Sequence, residues 1–331
     1  MKMPLLTSLA LTGAVALGLA APASAQKLVI AEPGHSLGYL PLYVAIHKGY
    51  FAEEKLDVVV TTLEGGSAHT NAVLTKQAFA FIGGPEHNAF AKAKGAELRA
   101  VANVVDRGNV YFVARAGLEP PKSVADIPAW IKGKTVATGL LGGTPNSITR
   151  YLAVKWGVKL GADVPVQEVT TAAILAAAKT KAADIAVTSE PFLTQGVQQG
   201  FWGEPFYNVP KELGPYAYST INIRKESIDK EPETVRGFVK AISKGLRYTY
   251  AHPDEAALIA RKEFPTMPEA DLKATIDRAF ADKLWSADGT ISQQAWTTGK
   301  TVVMEAGLLK TDVPYEAIID MSFIEQVRAA L

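Results

Sequence analysis

Three short segments join a glycine pair to a helix-starting residue, and each could hold a small polar or anionic solute on backbone N–H groups. They are Leu63-Glu64-Gly65-Gly66-Ser67, Phe81-Ile82-Gly83-Gly84-Pro85 and the run from Gly139 to Asn146, with Gly142-Gly143-Thr144-Pro145 at its centre. Ser67 and Thr144 are helix-capping types, while Pro85 and Pro145 suit the first helical position, where the N–H that proline lacks has no partner anyway. Glycine permits positive φ and lets a solute approach the backbone. The free N–H groups and positive dipole end at each helix start would face the solute. Each dipole supplies about 0.3 to 2 kcal/mol, so three give at most roughly 6, whereas a micromolar site needs about 8. Side chains and exclusion of water must supply the difference.

Several side chains near these turns offer further chemistry. Glu86 falls in the first turn of a helix, where a carboxylate either complements the dipole or meets a donor on the solute, and Glu190 has the same two readings. A carboxylate in the cleft would require a matching donor or positive charge. Arg107 carries the fork of donors that grips an acidic group, with plain surface solvation as the other reading. Tyr39, Tyr218 and Trp202 are either an aromatic wall or core. His35, His69 and His87 lie in separate turn or helix-start regions without the close spacing of a zinc site, so no metal is expected. Ser189 lacks a Gly-x-Ser-x-Gly surround and the Gly139 to Thr144 run lacks the P-loop lysine. No catalytic set and no cofactor are therefore expected, and the chain is read as a binding protein.

The elements that must position these residues alternate between β-rich and helical runs, the pattern of parallel sheets covered by helices. Strands are expected at Lys27 to Ala31, Asp57 to Leu63, Ala78 to Ile82 and Leu98 to Val105. A helix at Leu40 to Lys48 carries Pro41 near its start and Gly49 just past its end. After an extended run at Asn109 to Gly117 a second α/β unit follows, with strands at Lys134 to Thr138, Val164 to Val169 and Asp184 to Thr188. β character returns at Tyr218 to Ile223. The remainder is helical, with Phe238, Ile242, Leu246 and Tyr250 on one stripe. The division expected is residues 26–115 with 220–331 as one lobe and 116–219 as the other. In parallel α/β sheets the strand-to-helix turns lie at the carboxyl edge, where ligands bind. Two crossings between lobes make a hinge.

Composition bounds the setting. Lys2, an apolar run from Leu5 to Ala21 and the small-x-small segment Ala23-Ser24-Ala25 read as an export signal cleaved after Ala25. The chain has no cysteine, which excludes disulfides, thiolate metal sites and lipid attachment through an amino-terminal Cys. Without Lys2, the 34 basic residues become 33, equal to the 33 acidic ones, so no charge imbalance points to nucleic acid or to an anionic membrane. No later segment reads as a membrane span, and the mature chain is expected to be a periplasmic monomer of two domains.

Gly38-Tyr39-Leu40-Pro41-Leu42-Tyr43-Val44-Ala45, followed by Lys48-Gly49-Tyr50-Phe51, resembles the opening signature of the nitrate-, taurine- and alkanesulfonate-binding proteins, a family that includes thiamine-pyrimidine-synthase-like proteins. The Gly65 turn, the Thr138 to Arg150 segment and Thr188-Ser189-Glu190-Pro191 extend the resemblance over most of the mature chain. It implies a two-lobed type II periplasmic-binding-protein fold, α/β in class, in which a solute is handed to an ABC permease and its ATPase. By motif, it implies ligand contacts at Gly38, Tyr39, Gly66, Ser67, Gly84, Pro85, Thr144, Pro145, Asn146, Ser147 and Glu190. Ligands in the family span sulfonates, oxyanions and heteroaromatic compounds. Glu86, His87 and Glu190 near the crevice argue against a purely oxyanion ligand. The family's enzyme uses a cysteine-rich motif that this chain lacks. A sensor for a membrane receptor is a third reading.

Overall fold

The computed structural model describes residues 26–329. The expected export signal at 1–25 lies outside them. Among the described residues, ten strands form two five-stranded sheets. In the first, β1 (Gln26–Glu32) pairs in parallel with β2 (Leu56–Thr62) and β3 (Ala80–Gly83). The late strand β10 (Pro215–Arg224) then inserts antiparallel between β3 and β4 (Leu98–Arg107), giving the order β2-β1-β3-β10-β4.

The second sheet contains β5 (Tyr111–Ala114), β6 (Val136–Thr138), β7 (Val166–Glu168), β8 (Ile185–Thr188) and β9 (Tyr207–Asn208), in the order β7-β6-β8-β5-β9. β6 runs parallel to β7 and β8, and β5 runs antiparallel to β8 and β9. The central strands β3, β5 and β8 are buried along their whole length, and they read as continuous apolar runs because helices cover both faces. The architecture is the two-lobed α/β type II fold. The chain passes from the first sheet to the second between Arg107 and Tyr111, and returns between Asn208 and Pro215. Both passages fall a few residues before positions 116 and 220.

Five of the carboxyl-terminal helices, Pro232–Ala251, Pro253–Glu263, Glu269–Ala281, Gln293–Glu305 and Ser322–Arg328, complete the molecule. Phe238, Ile242 and Leu246 are fully buried against the first sheet's core. Tyr250 departs from the expected stripe: it is 39% exposed, and its hydroxyl donates to the Trp285 carbonyl at 2.7 Å. Gly245 lets the long helix approach the helix Leu40–His47, since a Cβ there would lie 2.2 Å from the Pro41 carbonyl oxygen.

These helices, grouped with the first sheet in the expected division, also reach the second sheet and its helices. Tyr111 donates to the Asp282 carboxylate at 2.9 Å, and Lys155 pairs with Glu305 at 3.1 Å. No helix among the described residues is long and apolar enough to cross a membrane.

Candidate ligand-binding site

The carboxyl ends of the strands of both sheets face one cavity of about 240 Å³. From the first sheet come the loop Pro33 to Ser36 after β1, the turn Thr62 to Gly66 after β2, and Gly83 and Gly84 after β3. From the second come Gly139, Leu140 and Gly143 to Pro145 after β6, Val169 to Ala172 after β7, and Ser189 and Phe192 after β8. Every one is a strand-to-helix turn, the position at which an open α/β sheet presents its ligand crevice.

Six of the expected site residues line this cavity: Tyr39, Gly66, Gly84, Thr144, Pro145 and Tyr218. The glycine pairs do more than admit a solute. A Cβ on Gly66 would stand 2.3 Å from the Leu141 carbonyl oxygen, so the turns after β2 and β6 touch backbone to backbone at the cavity rim. A Cβ on Gly84 would fall 2.0 to 2.4 Å from the Glu86 carboxyl group, so Gly84 makes room for a neighbouring side chain.

The other eight sit outside the lining. Gly38 accepts from the Trp285 indole N–H at 3.0 Å through its carbonyl, and its N–H donates to the Ser36 hydroxyl. Ser67 is exposed just before the helix Ala68–Leu74, with no side-chain cap bond. Pro85 caps the helix Glu86–Lys92 by position alone. Arg107 turns back on Asp106, donating to its carboxylate at 2.5 Å and its carbonyl at 2.7 Å. Asn146 donates to the Gly139 carbonyl at 2.9 Å and to Glu168 at 3.0 Å, and accepts from Arg150. Ser147 bonds the Gly143 carbonyl. Both side chains thus hold the helix Thr144–Lys155 to its own turn, because a helix start is a ready sink for short polar side chains.

The two glutamates are both buried, and neither lines the cavity. Glu86 is 1% exposed; Oε1 accepts from the Thr144 hydroxyl at 2.5 Å, across the two sheets, and Oε2 has no partner. Burial pushes its carboxyl up to about 7. Glu190 lies behind the turn after β8, where it accepts from the Thr194 hydroxyl at 2.8 Å and the Thr275 hydroxyl at 3.3 Å, with Arg278 Nε at 3.1 Å. Burial raises it to about 7 as well, against the opposing pull of those donors. Trp202 is core: its N–H donates to the Leu193 carbonyl, and its ring lies over Gly196.

The lining also contains histidines that the sequence raised for metal, one of which, His87, it also set near the crevice, and residues that it did not single out. His69 and His87 both face the cavity, with ring centroids 4.7 Å apart at 76°. Both ring nitrogens of His69 are buried without a partner. Desolvation holds His69 well below the usual histidine range and brings His87 down to about 4. His35 also lines the cavity, but Glu32 takes its Nδ1 at 3.1 Å and the Glu263 carbonyl takes its Nε2 at 3.3 Å, and the hydrogen bond with Glu32 raises its pKa. Asn109, Ser36 and Phe192 complete a polar and aromatic wall. Among the described residues, neither lysine nor arginine lines the cavity. Among the described residues no three His, Asp or Glu side chains gather as a metal site.

A family model described as NMT1/THI5 like matches residues 37–256. The riboflavin-binding protein RibY of Chloroflexus aurantiacus is 27% identical over 304 residues, 87% of this chain and 83% of that protein. The 4-amino-5-hydroxymethyl-2-methylpyrimidine phosphate synthase of Candida albicans is 24% identical over 233 residues, 66% of this chain and 65% of that protein. Among solved structures, the alkanesulfonate-binding protein SsuA from Xanthomonas axonopodis pv. citri, bound to MOPS, superposes with a TM-score of 0.72 at 15% identity, covering 91% of this chain and all (100%) of that one. The periplasmic nitrate-binding protein NrtA from Synechocystis PCC 6803 also gives 0.72, at 17% identity, over 92% of this chain and 89% of that one.

Proposed function

The chain belongs to the NMT1/THI5-like family, and from that premise we propose that it is the solute-binding receptor of an ABC-type importer. In this reading it is exported to the periplasm by its amino-terminal signal, works as a monomer, and closes two lobes on one solute, which it passes to a permease and its ATPase. The lobes divide near the two chain passages, so that the paired connecting segments act as the hinge. One observation carries the reading: a single cavity of about 240 Å³ takes its walls from the carboxyl edges of both sheets.

The solute is a small organic anion or heteroaromatic compound, of the sulfonate, nitrate, carboxylate or pyrimidine class. The backbone N–H of Thr144, at the start of its helix, serves an acceptor, while Tyr39, Tyr218 and Phe192 serve a ring. The enzyme reading is disfavoured: the chain has no cysteine, and a chemistry built on a cysteine-rich motif has no foothold. Mass spectrometry of small molecules released on denaturing the purified protein tests the proposal. A solute equimolar with protein supports it; repeated release of nothing, with no thermal shift from a panel of sulfonates, carboxylates, nitrate and pyrimidines, contradicts it.

A further inference from the structure

The cavity wall holds one imidazole, that of His69, whose ring nitrogens nothing in the protein satisfies, with a second, that of His87, packed edge-on against it. His69 is 1% exposed, lines the cavity, and has neither ring nitrogen bonded. Its ring is fixed on two sides, edge-on to His87 at 4.7 Å and to Phe81 at 5.0 Å. Gly83 lets it pack against the end of β3, since a Cβ there would stand 3.0 Å from Nε2. A ring placed so tightly, with its hydrogen-bonding atoms left open, is organised for a partner from outside the chain.

We propose that His69 and His87 select the solute by its neutral edge: two uncharged imidazoles pair with a planar ring that presents a hydrogen-bond donor beside an acceptor, in preference to an anion. A neutral imidazole carries one N–H and one bare nitrogen on diverging sides of its ring, so one of the two rings can accept from the solute's donor while the other donates to its acceptor, and neither offers the two donors of a cation. A second positive charge beside the first is opposed by burial and by the neighbouring imidazole. The wall supplies no compensating lysine or arginine, and the charge of His35 is already matched by Glu32. Glu64 adds a carboxylate to the lining, which further disfavours an anion. Tyr39, Tyr218 and Phe192 offer faces for a ring. The volume suits one substituted ring, given that an apolar cavity of about 150 Å³ holds benzene.

The inference rests on the receptor reading and fails separately from it. Calorimetry at pH 7 on the full mature protein would compare 2-pyridone, a neutral ring with N–H beside C=O, with benzoate, an anion of similar size. The expected result is 2-pyridone at least tenfold tighter than benzoate, with the ¹⁵N ring signals of His69 and His87 shifting on its addition. His69→Phe, which keeps a ring, should weaken 2-pyridone at least tenfold, and His69→Gln, which keeps a donor and an acceptor, should retain part of the affinity. Benzoate binding tighter, no 2-pyridone binding at millimolar concentration, or unchanged affinity in folded His69→Phe or His69→Gln would overturn the assignment. None of those outcomes bears on whether a solute is released from the denatured protein, which is the receptor's own test.

Discussion

Thr144 donates a 2.5 Å hydrogen bond to Glu86 from the far side of the cleft, joining the first helical residue after β6 to the first helical residue after β3. The bond couples the two sheets at the edge of the cavity, and with it the Gly66 to Leu141 contact brings the same pair of lobes together. In the proposed receptor, closure would draw on the same turns that line the cavity.

Gly66 tests that coupling most simply. Its φ is not in the left-handed region, unlike that of Gly65 at 115°, so Gly66→Ala strains no backbone within its own turn. Its Cβ would collide with the Leu141 carbonyl oxygen in the present arrangement of the turns, and in the proposed open form that contact would be released. Affinity for the released solute should fall at least tenfold, while thermal stability of the ligand-free protein stays within about 2 °C, the shift that about 1 kcal/mol produces in a chain of this size. Unchanged affinity by calorimetry would mean that the contact is not needed for capture.

Glu86 gives a pH signature. Its folded pKa, about 7, stands above the ordinary 4.5, so the folded state holds the proton more tightly than the unfolded one. Its contribution is full below about 4.5 and is lost as pH rises through about 7, worth at most about 3 kcal/mol at roughly 1.36 per unit. Glu190 has the same sign. His87, brought down to about 4, acts oppositely, losing stability as pH falls from 6.5 through 4. Glu86→Gln keeps an acceptor for Thr144 and removes only the first contribution. Denaturant unfolding from pH 4.5 to 8 should therefore show wild type losing stability relative to Glu86→Gln as pH rises. Parallel curves would remove Glu86 from the pH response.

Asn146 separates a structural role from a binding one. Motif resemblance implied a ligand contact, but the amide ties the Gly139 carbonyl to Glu168 and Arg150. Asn146→Ala should cost about 1 to 3 kcal/mol of unfolding free energy through those unpaired groups, with affinity changed less than threefold at temperatures where the variant is folded. A large affinity loss with normal stability would return Asn146 to the site.

Glu190 should behave as a fastener of the helix Glu269–Ala281. Glu190→Ala removes the acceptor of the buried Thr194 and Thr275 hydroxyls and one of the two carboxylates beside Arg278, which keeps Glu204, and leaving buried polar groups unpaired costs about 1 to 3 kcal/mol. Hydrogen exchange should rise across 269–281. Unaltered protection there would refute the role.

Much of the frame was legible because strand and helix signals agree. β4 was expected from Leu98 and runs Leu98–Arg107, and Pro41 and Gly49 do bracket the first helix. β9, two residues long, carries no periodicity to detect, and its partner β5 alone defines it. The glycine pairs were visible, but their purpose was not. That Gly84 accommodates Glu86, and Gly66 a carbonyl of the other lobe, depends on contacts far apart in sequence. His69 was visible too, yet only packing against His87 and Phe81 makes its open nitrogens informative. Asn146, Ser147 and Arg107 mislead for one reason: short-range partners outcompete a solute for polar side chains beside a turn.

Small-angle scattering on the mature protein, stripped of solute and then saturated with the molecule it releases on denaturation, addresses closure most directly. The account predicts a more expanded stripped form that compacts on adding one equivalent, and a Gly66→Ala variant that stays expanded. Identical scattering profiles for stripped and saturated wild-type protein would contradict it.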